Sequence, residues 1–175
     1  MNIKSYNSKV NTVSIMDSDS TNINYLTSNQ FKYVHKLQFS PSDDKIFFIG
    51  NSVYDGFGLY SINTDGTSQT LLTTNISDIT FTISSDGQQI VYRESDDIYL
   101  INSDGGGETN ITISSLYEEK PRFSSDGKLI GFLADRENSY GIFFINNSGT
   151  TIDISSWFKL EDVSYVRDFK FIPNP

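Results

Sequence analysis

Tyr33, Tyr54, Phe57, Tyr117, Tyr140, Trp157 and Phe158 are the residues with the clearest capacity for chemistry. They sit in segments rich in Ser, Asn, Asp and Glu, such as NSVYDGF (51–57), SSLYEE (114–119) and SSWFKLED (155–162). Polar segments of this composition read as loops. Large amphipathic rings on loops, with Arg nearby, dominate binding hot spots. The chemistry on offer is therefore recognition of a partner rather than bond making. Core packing at strand starts is the competing role, expected for roughly half of the set. Trp157-Phe158 is the pair expected to stay partly exposed.

Catalytic patterns are weak by comparison. His35 is the only histidine and there is no cysteine, a poor basis for a metal site and more in keeping with a packed or hydrogen-bonded side chain. No G-x-S-x-G elbow is present, and a lone His cannot be paired with a Ser without geometry. Asp43-Asp44, Asp96-Asp97, Glu118-Glu119 and Glu161-Asp162 are adjacent carboxylates. Neighbours along a strand point to opposite sides, so most should be solvated loop charges. Asp17-x-Asp19 opens like a calcium loop but lacks the downstream Gly and Glu. Asn75-Ile-Ser, Asn110-Ile-Thr and Asn146-Asn-Ser match glycosylation acceptors, which chance explains in so Asn- and Ser-rich a chain. These patterns assign no catalytic residue, no metal and no cofactor. An enzyme built around His35, Glu118, Glu119 and Arg167 is the least favoured of three functional readings.

Bulk properties narrow the partners. The chain has 175 residues and a net charge of −9, enough for one domain with a real core. Such acidity argues against general nucleic-acid binding and against adhesion to anionic membranes. No apolar run approaches a membrane span. The start, MNIKSYNSKV, shows no signal peptide, so a cytoplasmic location is the plain expectation; processing would admit a periplasmic or secreted one.

The elements that must position these residues are repeats. PRFSSDGKLIGF (121–132), TFTISSDGQQIVY (80–92) and KLQFSPSDDKIFF (36–48) share one pattern of strand, tight turn and apolar strand. Repeats of this length decide a fold. Four strands, A to D, can be assigned to each. Strand A ends at Phe39, Ile83, Phe123 and Phe171, and strand B carries Ile46, Ile90 and Ile130. Strand C reads GLYSIN, DIYLIN and GIFFIN, then come a second turn and a short strand D. Asp-Gly and Ser-Gly turns supply the positive φ angles that tight hairpins need. Residues 12–27 align with strand C, its turn and strand D, placing Met16 with Ile62, Ile101 and Ile145, and Asp19 with Asp65 and Asp104. The last segment, YVRDFKFIPNP, reads as a strand A with nothing after it. Running the chain end to start puts Ile3 at the strand B position.

One such sheet cannot bury both apolar faces, so neighbours must stack, and radial stacking leaves only short protected edges. The expected fold is all-β: a four-bladed β-propeller of four-stranded antiparallel blades, at about 31–77, 78–116, 117–161, and 162–175 with 1–30. The C-terminal strand would pair with the N-terminal blade and hide an adhesive edge. A fragment of a larger ring, or two chains sharing an eight-bladed one, is the alternative, so a monomer or a homodimer is expected. With strand A nearest the axis, Lys36, Thr80, Lys120 and Asp168 would form one ring of a central channel, and Gln38, Thr82, Arg122 and Lys170 the next. Such a channel could hold an anion. Paired charges bridging sheets through water are favoured over it, since an unpaired buried charge is costly.

Phe39-Ser40-Pro41, Ser124-Ser125-Asp126-Gly127-Lys128 and Asp97-Ile98-Tyr99 resemble the TolB-like, WD-type propeller repeat, and the resemblance extends over nearly the whole chain. It implies protein–protein binding. The favoured function is thus a non-catalytic module presenting the aromatic loop face to a protein or peptide. A carbohydrate-binding propeller, stacking Trp and Tyr on sugar rings, is the second reading.

Overall fold

The computed structural model describes residues 12–17, 19, 21–76, 80–113, 116–136, 139–146 and 150–152. These divide between two compact units, Met1–Ile79 and Thr80–Pro175. The expected closing partners Ile3 and Phe171 lie outside the described residues.

In the first unit, β1 (Ser14–Ile15) and β2 (Asn24–Tyr25) form a two-stranded antiparallel sheet. β3 (Phe31–Phe39), β4 (Lys45–Ser52), β5 (Gly56–Asn63) and β6 (Thr70–Thr73) follow as a four-stranded antiparallel sheet in chain order. The second unit holds two more such sheets. One is β7 (Phe81–Ile83), β8 (Gln89–Glu94), β9 (Asp97–Asn102) and β10 (Thr109–Asn110). The other is β11 (Glu118–Phe123), β12 (Leu129–Arg136), β13 (Ser139–Asn146) and β14 (Thr151–Ile152). The described residues contain strands and turns and no helix.

The residues that mark the repeat in the sequence are direct cross-strand partners. Phe39 pairs with Ile46 and Ile46 with Ile62; Ile83 with Ile90 and Ile90 with Ile101; Phe123 with Ile130 and Ile130 with Ile145. Side chains that alternate with period two cannot slip by one residue without exchanging faces, so this apolar row locks the register of each blade. The segment at 12–27 obeys the same template at its turn. The Asp17 N–H donates to the Thr21 carbonyl at 3.1 Å, as Asn63 does to Thr67 at 3.0 Å, Asn102 to Gly106 at 2.9 Å and Asn146 to Thr150 at 3.0 Å.

Each unit has its own core. In the first, Val13, Ile15 and Leu26 from the small sheet pack with Phe31, Ile46, Phe48, Tyr60 and Ile62. The Phe31 ring sits edge-on to Phe48 at 5.2 Å and to Tyr60 at 5.1 Å. Gly50 makes room for it: a Cβ there would lie 2.8 Å from Cδ1 of the Phe31 ring. The Tyr60 hydroxyl donates to the Gly56 carbonyl at 2.8 Å, so its polar tip is satisfied inside an apolar cluster. In the second unit, Val91, Ile98, Leu100 and Ile111 of one sheet meet Ile130, Phe132, Ala134 and Ile145 of the next. Burying a Phe such as Phe132 stabilises by roughly 1.5–3 kcal/mol, and stacking two blades is how their apolar faces leave water.

Candidate binding surface

Hairpin geometry gives each sheet two ends of different chemistry. At one end the two tight turns of a blade touch: the Thr64 N–H donates to the Asp44 carbonyl at 2.9 Å, and the Ser103 N–H to the Gln88 carbonyl at 2.8 Å. At the other end the loops before strand A meet those between strands B and C. There the Val53 N–H donates to the Gln30 carbonyl at 2.7 Å, and the Glu118 N–H to the Asp96 carbonyl at 2.9 Å.

The turn end is built from carboxylates doing backbone work. The Ser84 hydroxyl donates to Asp86 at 2.6 Å and accepts from the Gln89 N–H at 2.9 Å, while Asp86 also accepts from the Gln88 N–H at 3.0 Å. Ser124, Asp126, Lys128 and Leu129 repeat the arrangement. In the first blade Ser42 stands where the others have Asp, and Asp44 reaches back to Ser40 at 2.7 Å and Ser42 at 2.6 Å. At the second turns, Asp65 accepts from the Thr67 hydroxyl and N–H, and Asp19 from those of Thr21. Side-chain hydrogen bonds to Ser84 and Ser124 hold the Asp86 and Asp126 carboxyls below their ordinary value. The Thr67 and Thr21 hydroxyls do the same for Asp65 and Asp19, and the Ser42 hydroxyl for Asp44. These acids are structural. Asp17 accepts from the Asn22 amide at 2.8 Å, so the Asp17-x-Asp19 pair closes a turn.

The loop end carries the exposed rings. In the first unit Tyr33 packs on Phe57, with ring centroids 6.5 Å apart, and on His35 at 5.2 Å; its hydroxyl accepts from the Asn51 amide at 2.8 Å. His35 is exposed rather than packed inside. It leans on a tyrosine at the rim. Tyr54 projects from the β4–β5 hairpin with 81 % of its surface exposed, beside the half-exposed Val53. In the second unit the Arg93 guanidinium lies 4.9 Å over the half-exposed Tyr117 ring, a cation–π contact that holds the ring in place. Ile113, in the loop that leads to Tyr117, is 82 % exposed at a φ of 41°. Tyr140 pairs through its backbone with Asp135 where β12 turns into β13. Trp157, Phe158, Arg167, Asp168, Lys170 and the Glu161-Asp162 pair lie outside the described residues.

Strand A departs from simple alternation. The β3–β4 register shifts between His35 and Leu37, and the β11–β12 register between Glu119 and Arg122. Lys36 and Lys120 sit at these bulges in left-handed conformation, with φ of 37° and 55°. A bulge re-aims the side chains around it. Lys36 is exposed, and the Lys120 ammonium sits 3.6 Å from the carboxylate of its neighbour Glu119. Gln38 and Arg122 beyond the bulges are half-buried, and the Thr82 hydroxyl contacts the Pro121 carbonyl at 3.4 Å. Among the described acidic pairs Glu118 is the exception to solvation. It is fully buried, with an exposure of 0 %, at the strand position that Val34 fills in the first blade.

Among the described residues, no three His, Cys, Asp or Glu side chains come together so as to hold a metal ion. Asn110 has both amide atoms engaged: its Nδ2 donates to Asp97 at 2.7 Å and its Oδ1 accepts from the Thr112 and Ile113 N–H groups. That leaves its amide committed to the loop rather than offered to a glycan. Sequence reasoning missed Arg93, whose partner is far along the chain, and Tyr25, which is 64 % exposed on β2. Its place next to the polar run Thr27-Ser28-Asn29-Gln30 was the available signal.

No protein-family model matches the chain, and no curated protein matches it either. Solved structures do. A putative TolB from Agrobacterium tumefaciens superposes with a TM-score of 0.63 at 20 % identity, over 85 % of this chain and 57 % of its own. TolB from Acinetobacter baumannii gives 0.61 at 19 % identity, over 81 % and 36 %. An oligogalacturonate lyase solved in complex with manganese gives 0.61 at 15 % identity, over 79 % and 42 %. This chain thus spans between about a third and just over half of each of these neighbours. At such identities a likeness carries the fold alone, and the fold it carries is that of a TolB-like β-propeller.

Proposed function

We propose that the chain is a non-catalytic binding module whose loop end docks a protein or peptide partner. The observation that carries this reading is the contrast between the two ends of the sheets. In each unit one end spends its polar side chains on closing its own turns, whereas the other leaves rings and apolar tips facing solvent, Tyr54 and Val53 in the first unit and Ile113 and Tyr117 in the second. Exposed rings and apolar loop tips on rigid hairpins are what interfaces are made of. The TolB-like fold supports the same role. Enzymes share this fold, the manganese-containing lyase among them, so the absence of catalysis belongs to the proposal.

Tyr140, Trp157 and Phe158 extend the same face in this reading. The proposed assembly is a ring of four blades closed by the strand around Phe171, with the four-fold recurrence of the second turn in its favour. Light scattering separates a closed monomer from two chains sharing an eight-bladed ring. The function is tested by selecting peptides from a random display library on the full chain. Selected peptides should lose binding to Tyr54→Ala and Tyr117→Ala variants that melt like the wild type. Peptides that bind all three alike would defeat the reading.

A further inference from the structure

We infer that the first unit holds a saccharide site, a cleft between the exposed rings of Tyr25 and Tyr54 that takes a neutral sugar. This goes beyond the docking of a protein partner: the cleft shares Tyr54 with the proposed docking face but adds Tyr25, Thr27 and Gln30, which that face does not include. The cleft has a volume of about 590 Å³ and is lined by Tyr25, Tyr54, Thr27, Ser28, Asn29 and Gln30, with Thr12 at its edge. That volume lies within the range of small-ligand sites.

The lining is the argument. Among the described residues, no charged side chain contributes to it. The hydroxyls and amides offer donors and acceptors together, which is what a ring of hydroxyl groups requires. Several of these groups are held in place before any ligand arrives. Thr27 is buried, and its hydroxyl oxygen accepts from the Val13 N–H at 2.9 Å, leaving its proton to donate. The Gln30 amide donates to the Gln69 side chain, and the Gln30 carbonyl accepts from the Val53 N–H at 2.7 Å. This second bond ties the floor of the cleft to the hairpin that presents Tyr54. The two tyrosines, 64 % and 81 % exposed, supply flat apolar faces with polar tips, suited to the C–H face of a pyranose. Preformed polar groups and rigid rings lower the ordering cost of binding. An anionic sugar would find no cation among the described residues of the cleft and a chain of net charge −9 around it, so uronates fit less well than neutral hexoses.

The experiment is a glycan array probed with the full chain, followed by titration calorimetry with the best neutral oligosaccharide and with an oligogalacturonate. Binding to neutral glycans is expected. Tyr25→Ala and Tyr54→Ala should each weaken it by about tenfold or more with unchanged melting, while Tyr25→Phe and Tyr54→Phe, which keep the ring face, should retain it. A blank array would overturn the inference, as would preference for the oligogalacturonate or undiminished binding by the Tyr25→Ala, Tyr54→Ala double variant. A blank array leaves the peptide reading untouched, because Tyr33 and Tyr117 lie outside the cleft. Equal peptide binding by the wild type, Tyr54→Ala and Tyr117→Ala would defeat that reading without bearing on this one.

Discussion

Asp43 occupies the left-handed turn position that Gly87 holds in the next repeat. The Asp43 N–H donates to the Ser40 carbonyl at 3.0 Å and the Gly87 N–H to the Ser84 carbonyl at 2.9 Å, with φ of 58° and 74°. The two substitutions that exchange these chemistries should have opposite signs. Asp43→Gly relieves a Cβ clash at the expense of a more flexible unfolded chain, and should be neutral to stabilising by up to about 1 kcal/mol. Gly127→Ala, at a φ of 70° with a Cβ 3.3 Å from the Ser85 hydroxyl, should cost about 1 kcal/mol or more. Urea unfolding of both variants checks the pair.

The serine that opens each turn holds more than one hydrogen bond. Ser84 and Ser124 are buried, and each accepts an N–H while donating to an Asp. Ser124→Ala removes the hydroxyl that accepts from the Leu129 N–H and donates to Asp126, while the backbone bond from the Ser124 N–H to the Leu129 carbonyl remains. A loss of about 1–2 kcal/mol is expected. Ser125→Ala, at an exposed neighbouring position, is the control and should stay within about 0.5 kcal/mol.

Acid should weaken the fold through the same turns. Asp19, Asp44, Asp65, Asp86 and Asp126 all have carboxyls held below the ordinary value of 3.8 by hydrogen bonds from Ser or Thr hydroxyls. A depressed native pKa means that the unfolded chain takes up protons first. The stabilisation is complete above the ordinary value and is lost as pH falls below it toward the native values. The urea midpoint should therefore be flat near neutrality and drop below about pH 4. Replacing Ser84 and Ser124 by Ala should shrink the acid-dependent part of that drop. An unchanged pH profile in the double variant would show that other carboxylates carry it.

Much of this architecture is legible in residue order because each blade states its register twice. Phe39, Ile46 and Ile62 could be aligned with Phe123, Ile130 and Ile145 from spacing alone, and they are cross-strand partners. The Asp-Gly turns were readable for the same reason: a hairpin with positive φ leaves few choices of residue. Strand A was less legible. The bulges at Lys36 and Lys120 break period two, and no Gly marks them, so alternation misdescribes where their neighbours point. The aromatic set was only partly legible. Exposure of Tyr54 and Tyr117 follows from their loops, but the Arg93 stack and the Tyr25 cleft arise from contacts between segments distant in the chain.

The Phe31 cluster should be the most sensitive point of the first unit. Its ring fills the space that Gly50 leaves and meets Phe48 and Tyr60 edge-on. Phe31→Ala should cost about 3–5 kcal/mol, enough to unfold a marginal domain. Tyr60→Phe keeps the ring but strips the Gly56 carbonyl of its donor, and should cost about 1 kcal/mol. Comparing the two by thermal melting separates apolar volume from the polar tip.

Tyr117 offers the sharpest division between folding and binding. Its ring is half-exposed and held by Arg93 at 4.9 Å, so most of its worth to stability is the cation–π contact, about 0.5–1 kcal/mol at an exposed site. A double-mutant cycle with Arg93→Ala and Tyr117→Ala should return a coupling of that size in unfolding. In peptide binding the same cycle should behave differently. Tyr117→Ala removes the proposed docking ring, whereas Arg93→Ala leaves the ring present but free to move, so binding should weaken in both and more in the first. If Arg93→Ala abolishes binding while Tyr117→Ala does not, the guanidinium contacts the partner directly, and the ring serves to aim it.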